Sequence, residues 1–198
     1  MIVNQNAFDI GQLAENLSSG YYAHLAAMTV AVDPRARVLA PPIVPGNLVP
    51  IGFVTRNDGT HHAFHFLHYL NEAGVNPIIR DELERIWLTG ALLRLGDALA
   101  QDNYFDRAPE LELIRHLRNG VSHGNRFRLD SPASLLTYPA HNKLAAVRGD
   151  LKPEFEITAS LNGAKVLFDF MGAGDVLDLI KSVGLYLIRM GNGETLRP

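Results

Sequence analysis

Residues 108–124 read APELELIRHLRNGVSHG, and the fold class turns on how this stretch winds. Ile114, Leu117 and Val121 recur at spacings of three and four, which places them on one apolar stripe of a helix, facing a core. At about 100° per residue, Arg115, His116, Asn119 and His123 lie on the opposite side and Arg118 sits at the flank. Gly124 stands where a left-handed residue would end the helix. Asn119 and His123, four apart, are neighbours on the polar surface. Arg118 and His123, five apart, are about 140° from each other around the axis. Three devices would bring those two together: the long arginine sweeping round, a loosening of the helix at Gly120, or a second subunit supplying its own copy of the pair.

Working outward, the rest of the chain reads as further helices around this one. Ala7 to Val32 carries Phe8, Leu13, Leu17, Leu25 and Met28 near helical spacing, with Gly20 as a point where it could divide. Residues 33–53 hold five of the eleven prolines (Pro34, Pro41, Pro42, Pro45 and Pro50), so an extended arm or loop is expected there. Asp58 or Thr60 is placed to cap a helix through about Glu72. Asn76-Pro77 is a capping residue followed by proline at the first helical position, and opens a helix to about Leu99 with the stripe Ile79, Leu83, Ile86, Trp87, Leu93 and Leu95. A loop with Pro132 and Pro139 follows. Phe155, Ile157, Ala159 and Leu161 then alternate, Asn162-Gly163 is a favoured hairpin turn, and Ala164, Val166, Phe168 and Phe170 alternate in return, so residues 153–170 are expected to form a β-hairpin with one apolar face. A last helix from about Ala173 to Met190 has the stripe Val176, Leu177, Ile180, Val183, Leu187 and Ile188. The expectation is a mainly α, single-domain chain over residues 1–198, a helical bundle with a β-hairpin before its last helix.

Composition narrows the function classes. A chain of 198 residues that is 47% hydrophobic can bury a core of its own. The absence of cysteine removes disulfides, thiolate metal sites and cysteine nucleophiles, and fits a reducing compartment. The apolar run Tyr21 to Val32 is short, carries His24 and lacks a basic lead-in, so neither a signal peptide nor a membrane span is expected, and a cytoplasmic location is. With 18 basic and 21 acidic side chains the net charge of −3 argues against non-specific binding along a nucleic-acid backbone. The distribution is uneven, however. Between Glu112 and Asp130 there is no acid, while Arg115, Arg118, Arg126 and Arg128 all fall there with His116 and His123.

A histidine and an arginine on one accessible helix end suit RNA cleavage without a metal, in which the ribose 2′-hydroxyl attacks the adjacent phosphate. RNA supplies the nucleophile. The protein needs a group that moves protons near neutral pH, as histidine does, and a fixed cation for the charge on phosphate oxygens, as arginine does. No cofactor and no metal is called for. The run Arg118-Asn119-Gly120-Val121-Ser122-His123 resembles the signature of the HEPN superfamily: arginine, a polar residue, a short spacer and histidine. The resemblance implies an all-α bundle, commonly a homodimer whose two motifs meet in a composite site, with metal-independent endoribonuclease activity in many members and roles in toxins, phage defence and RNA processing. By matching position it implies that Arg118 and His123 are the catalytic pair and Asn119 the polar residue after the arginine. Arg115, His116, Ser122, Arg126 and Arg128 are then candidates for binding RNA, and an antitoxin is an expected kind of partner. The proline-rich arm and the hairpin depart from the minimal family pattern.

Other readings of the same residues stand beside this one. The polar face could bind RNA, a nucleotide or a protein without turnover, and Arg115, Arg126 and Arg128 could instead pair with acids elsewhere, such as Glu110 and Glu112. His61, His65 and His68 in THHAFHFLH would share a helical face, a spacing that permits a metal site but more readily describes a rim of histidines beside Phe64 and Phe66. Asp81, Glu82 and Glu84 read as a solvated helix start, and Gly172 and Gly174 as a tight turn before the last helix.

Overall fold

The computed structural model describes residues 2–129, 134–144 and 154–195 and is mainly helical. Its elements in chain order are α1 (Gln5–Ala31), a 3₁₀ helix (Pro34–Leu39), strands β1 (Ile51–Thr55) and β2 (His61–His65), α2 (Phe66–Val75), α3 (Pro77–Gln101), α4 (Pro109–Ser122), α5 (Ser134–Thr137) and α6 (Ala173–Asn192). Short 3₁₀ helices lie at Phe105–Arg107 and Ala159–Leu161. Pro132 and Pro153, in the expected loop and at the edge of the expected hairpin, lie outside the described residues. Among the described residues no helix is long and apolar enough to cross a membrane.

Two compact units make up the chain: Met1–Gly20 with Glu84–Pro198, and Tyr21–Leu83. The larger unit buries Ala7, Ile10 and Ala14 of α1, Leu88, Leu92, Leu95 and Leu99 of α3, Ile114, Leu117 and Val121 of α4, and Val176, Ile180, Val183 and Leu187 of α6. The stripes read for α4 and α6 are therefore core faces. The α3 stripe is not the one expected, because Ile86 is 65% exposed and the buried seam runs Leu88, Ala91, Leu92, Leu95, Gly96 and Leu99. Both patterns have helical spacing, and only packing against neighbours selects between them. Gly20 does not divide α1; it makes room for the Trp87 indole, whose Cζ2 lies 3.0 Å from where a Cβ would be.

Glycine also sets the approach of α1 to α6. A Cβ on Gly11 would stand 2.7 Å from Ile188 Cγ1 and 2.9 Å from both the Gly184 carbonyl oxygen and the Ile188 nitrogen, so backbone as well as a side chain blocks it. Alanine in a helix interior ordinarily stabilises by roughly 0.5–1 kcal/mol over glycine. Gly11→Ala is expected to reverse that sign and cost about 1–3 kcal/mol through overpacking. Gly90→Ala on α3, where a Cβ meets nothing within 4 Å, is expected to show the ordinary stabilisation. Thermal melts of both variants check the pair; equal shifts would mean that the helices are not in close contact at Gly11.

In the smaller unit the expected helix from Asp58 to Glu72 is replaced in its first part by a hairpin. β1 and β2 pair antiparallel in the register Ile51↔His65, Phe53↔Ala63 and Thr55↔His61. The Asp58 side chain accepts hydrogen bonds from the Thr60 backbone N–H and hydroxyl, Gly59 takes φ +83°, and the turn closes through Arg56 N–H to the Thr60 carbonyl. Asp58 thus caps a turn. The Phe64 ring lies over Gly52 across the ladder, a place that no side chain could share. His61 and His65 consequently sit on a strand and His68 on α2, and the helical histidine face does not exist. Among the described residues no three His, Asp or Glu side chains are grouped to hold a metal ion.

The expected hairpin at residues 153–170 does not form as a ladder. Asn162 (φ −57°, ψ 122°) and Gly163 (φ +85°) make a type II turn, closed by Ala164 N–H to the Leu161 carbonyl, and that turn splays the two arms where the primed types would twist them together. Each arm pairs elsewhere. Phe127 N–H donates to the Ala164 carbonyl and Val166 N–H to the Asn125 carbonyl, while Asn142 N–H donates to the Phe155 carbonyl and Ile157 N–H to the Ala140 carbonyl. Of the alternating apolar residues, Phe155, Ile157 and Val166 are buried, whereas Phe168 is 40% exposed.

Candidate active site

The proline at position 109 starts α4 where its missing N–H would be unsatisfied in any case. The helix ends at Ser122, His123 follows with φ −108° and ψ 41°, and Gly124 (φ +75°) and Asn125 (φ +61°) turn the chain back in the left-handed region. His123 N–H donates to the Asn119 and Gly120 carbonyls at 3.2 Å each, and Arg126 N–H also returns to Gly120 at 3.0 Å. Gly120 is not a loosened point. It is buried, and the Val166 methyl Cγ2 lies 2.3 Å from the position of its missing Cβ, so glycine is there to admit the returning strand.

Arg118 crosses α3 at Gly96, where a Cβ would meet Arg118 Cγ at 2.6 Å and Cβ at 2.8 Å. Beyond that crossing its guanidinium is held by Asp97, with Nη2 at 2.6 Å and Nε at 3.0 Å from Oδ1, while Nη1 donates to Asn119 Oδ1 at 3.2 Å. Asp97 is the residue that sequence reasoning missed, since 21 positions separate it from Arg118 and only the packing of α3 on α4 unites them. The Arg118 side chain is 35% exposed and Asp97 56%, so the pair is a solvent-facing one worth at most about 1 kcal/mol. An incoming phosphate can therefore compete for the guanidinium. The structure unites Arg118 with Asn119 and Asp97; among the described residues no hydrogen bond or ion pair joins it to His123. His123 itself is exposed at the helix end, beside exposed Ser122, whose hydroxyl donates to the Asn119 carbonyl at 2.8 Å.

The other candidate residues separate into two groups. Arg115 pairs with the buried Glu112, as one of the two readings of that arginine expected. His116, expected on the open polar face, is instead only 11% exposed, 3.8 Å from Glu112 Oε1. Glu112 and Arg115 border a small recess of about 150 Å³ with Asp106 and Tyr138. Past the helix end, Arg126 donates to the Gly163 carbonyl at 2.7 Å, and Arg128 is exposed.

Burial pushes His116 down to about 4 from an ordinary 6.5, and the Arg115 guanidinium adds repulsion, so the ring is neutral at pH 7 and offers no charge to a phosphate. Between those two values the unfolded chain takes up a proton on His116 and the folded chain does not. Stability is therefore expected to fall as the pH falls from about 6.5 to about 4, by up to about 3 kcal/mol from this group. Burial raises Glu112, which acts in the opposite sense over the acid range. Comparing His116→Gln with the unmodified chain in denaturant titrations at pH 7 and pH 5 isolates the histidine: the variant should lose less stability on acidification, and an equal loss would mean that His116 is charged in the folded state.

No family model, curated protein or solved structure matches the chain. The functional reading accordingly rests on the residues of α4 and what surrounds them.

Proposed function

We propose that this chain is a metal-independent endoribonuclease of the HEPN type, acting as a homodimer in a toxin or phage-defence setting. The observation that carries the reading is the division of α4. Ile114, Leu117 and Val121 anchor one side in the core, while Arg118, Asn119 and His123 stand at the accessible end, with the guanidinium fork aligned by Asp97 and Asn119. In this mechanism His123 moves the proton of the attacking 2′-hydroxyl or of the leaving 5′-oxygen, Arg118 neutralises the pentacoordinate phosphate, and Asn119 and Asp97 fix the direction of the fork. The angular separation of Arg118 and His123 around α4 favours a site completed by the second copy, each subunit lending one group to the other's pair. The test is incubation of labelled RNA with the purified protein in EDTA, followed by analysis of the product ends. Cleavage to 2′,3′-cyclic phosphate ends supports the reading, and intact RNA across diverse sequences would overturn it.

A second reading, a HEPN-like module that binds RNA, a nucleotide or a protein without turnover, is favoured by one feature: the Arg118 guanidinium engages Asp97 and Asn119 within its own chain and not His123. RNA binding without cleaved product would select it.

A further inference from the structure

The segment that returns from His123 borders a recess of about 470 Å³ in the larger unit, lined by both cationic and aromatic side chains. Arg126 and Lys165 face each other in an antiparallel bridge, which sets their Cα atoms roughly 4.5–5.5 Å apart and their side chains on one surface. Two cations are thereby placed side by side. Lys165 is 53% exposed and its contact with Asp169, at 3.8 Å between two exposed side chains, holds it only loosely. Phe155 and Phe170 also line the recess, packed against each other with ring centroids 5.3 Å apart and planes at 67°, and Phe170 is braced from behind by Phe127 at 5.1 Å. The recess is tied to the motif helix at two points: Arg126 N–H bonds to the Gly120 carbonyl, and Val166, the neighbour of Lys165, packs onto Gly120.

Paired cations beside an aromatic surface are the two things that a single-stranded nucleic acid needs from a protein: charge for the backbone and a flat apolar face for a base. A buried apolar ligand would not require the cations, and a free phosphate would not require the rings. Glu154 and Asp169, also in the lining, oppose a second phosphate beside Arg126 and Lys165. We propose that this recess is a nucleotide subsite for single-stranded RNA flanking the cleavage position, with a phosphate on Arg126 and Lys165 and its base against Phe170, which the buried Phe155 supports. The inference rests on the ribonuclease reading for its substrate class, but it concerns binding and does not require turnover.

The experiment uses His123→Ala protein, so that RNA stays intact, and a fluorescent single-stranded RNA whose affinity is followed by anisotropy over a salt titration. Lys165→Ala is expected to weaken binding and to flatten the slope of log affinity against log salt by about 0.7, the signature of one lost phosphate contact on a single strand. Phe170→Leu keeps an apolar side chain in place and is expected to weaken binding by about 5- to 150-fold with little change in slope. Circular dichroism shows whether Phe170→Leu is folded; the exposed Lys165 decides the matter if it is not. RNA affinity and salt slope unchanged in both variants would overturn the subsite, as would no RNA binding by the parent. Unchanged affinity together with RNA cleavage by the protein carrying His123 would sink the subsite and leave the ribonuclease reading standing. Binding lost in the variants, with no cleavage by the protein carrying His123, would do the reverse.

Discussion

On the proposed ribonuclease reading, His123→Ala is expected to lower RNA cleavage by about 10²–10⁴-fold, the ordinary contribution of a positioned proton-transfer group. The fold should be untouched. His123 is exposed, and its structural contribution comes from its backbone N–H, which bonds to Asn119 and Gly120 and which alanine retains. Arg118→Ala is expected to cost about 10²–10³-fold, as the loss of one preorganised donor to a developing oxyanion does. Arg118→Lys should not restore the rate, because a point charge cannot satisfy Asp97 and Asn119 through separate nitrogens while facing a phosphate. Asp97→Asn, which leaves a hydrogen-bond acceptor but removes the charge that fixes the fork, should cost roughly tenfold. Single-turnover rates on one labelled RNA, compared with melts of the same proteins, separate these effects from unfolding. A full rate in His123→Ala would remove that residue from the mechanism whatever the other variants did.

Leu117→Ala is expected to destabilise the chain by about 2–5 kcal/mol, since the side chain is fully buried and the cavity left behind can close only partly. For a chain of this size that corresponds to a fall in Tm of roughly 4–20 °C. Leu117 is the immediate neighbour of Arg118, yet its effect on cleavage should follow the folded fraction, so that activity at low temperature is nearly normal and fails early on heating. The two variants are expected to behave differently: Leu117 belongs to the core, whereas His123, six residues on and just past the end of α4, is the proton-transfer group of the proposed reading. An unshifted melt for Leu117→Ala would mean that the motif helix is not packed as described.

Much of this arrangement was open to inspection in the chain itself. The spacing of Ile114, Leu117 and Val121, the glycine at 124 and the Asn76-Pro77 start of α3 are local signals, set by helix periodicity and by which residues accept a left-handed backbone or a missing N–H. Asn76 Oδ1 accepts from the Ile78 N–H at 3.1 Å, as such a start requires, and Gly124 takes φ +75°. Of the two glycines read as a tight turn before the last helix, Gly172 lies just before α6, with its N–H donating to Asp175 Oδ2 at 2.9 Å, but Gly174 is inside α6. The mainly helical class and the core stripe of α4 were likewise legible, because helical spacing puts Ile114, Leu117 and Val121 on one side.

Tertiary structure decided the rest, for reasons that no local pattern carries. THHAFHFLH has apolar and aromatic residues that fit either a strand or a helix, and pairing with Ile51–Thr55 made its His61–His65 part a strand while the rest opened α2. The alternation around Asn162-Gly163 promised a hairpin, but each arm found a better partner after α4, at Asn125–Phe127 and at Ala140–Asn142, and the turn took the form that lets them separate. Asp97 reaches Arg118 only because Gly96 lets the arginine cross α3, and His116 lost its place on the polar surface to burial beside Glu112. Sequence by itself determined which residues could share a helix face; contacts between residues far apart in the chain determined which of those faces were covered, which charges were paired, and which side chains were left exposed.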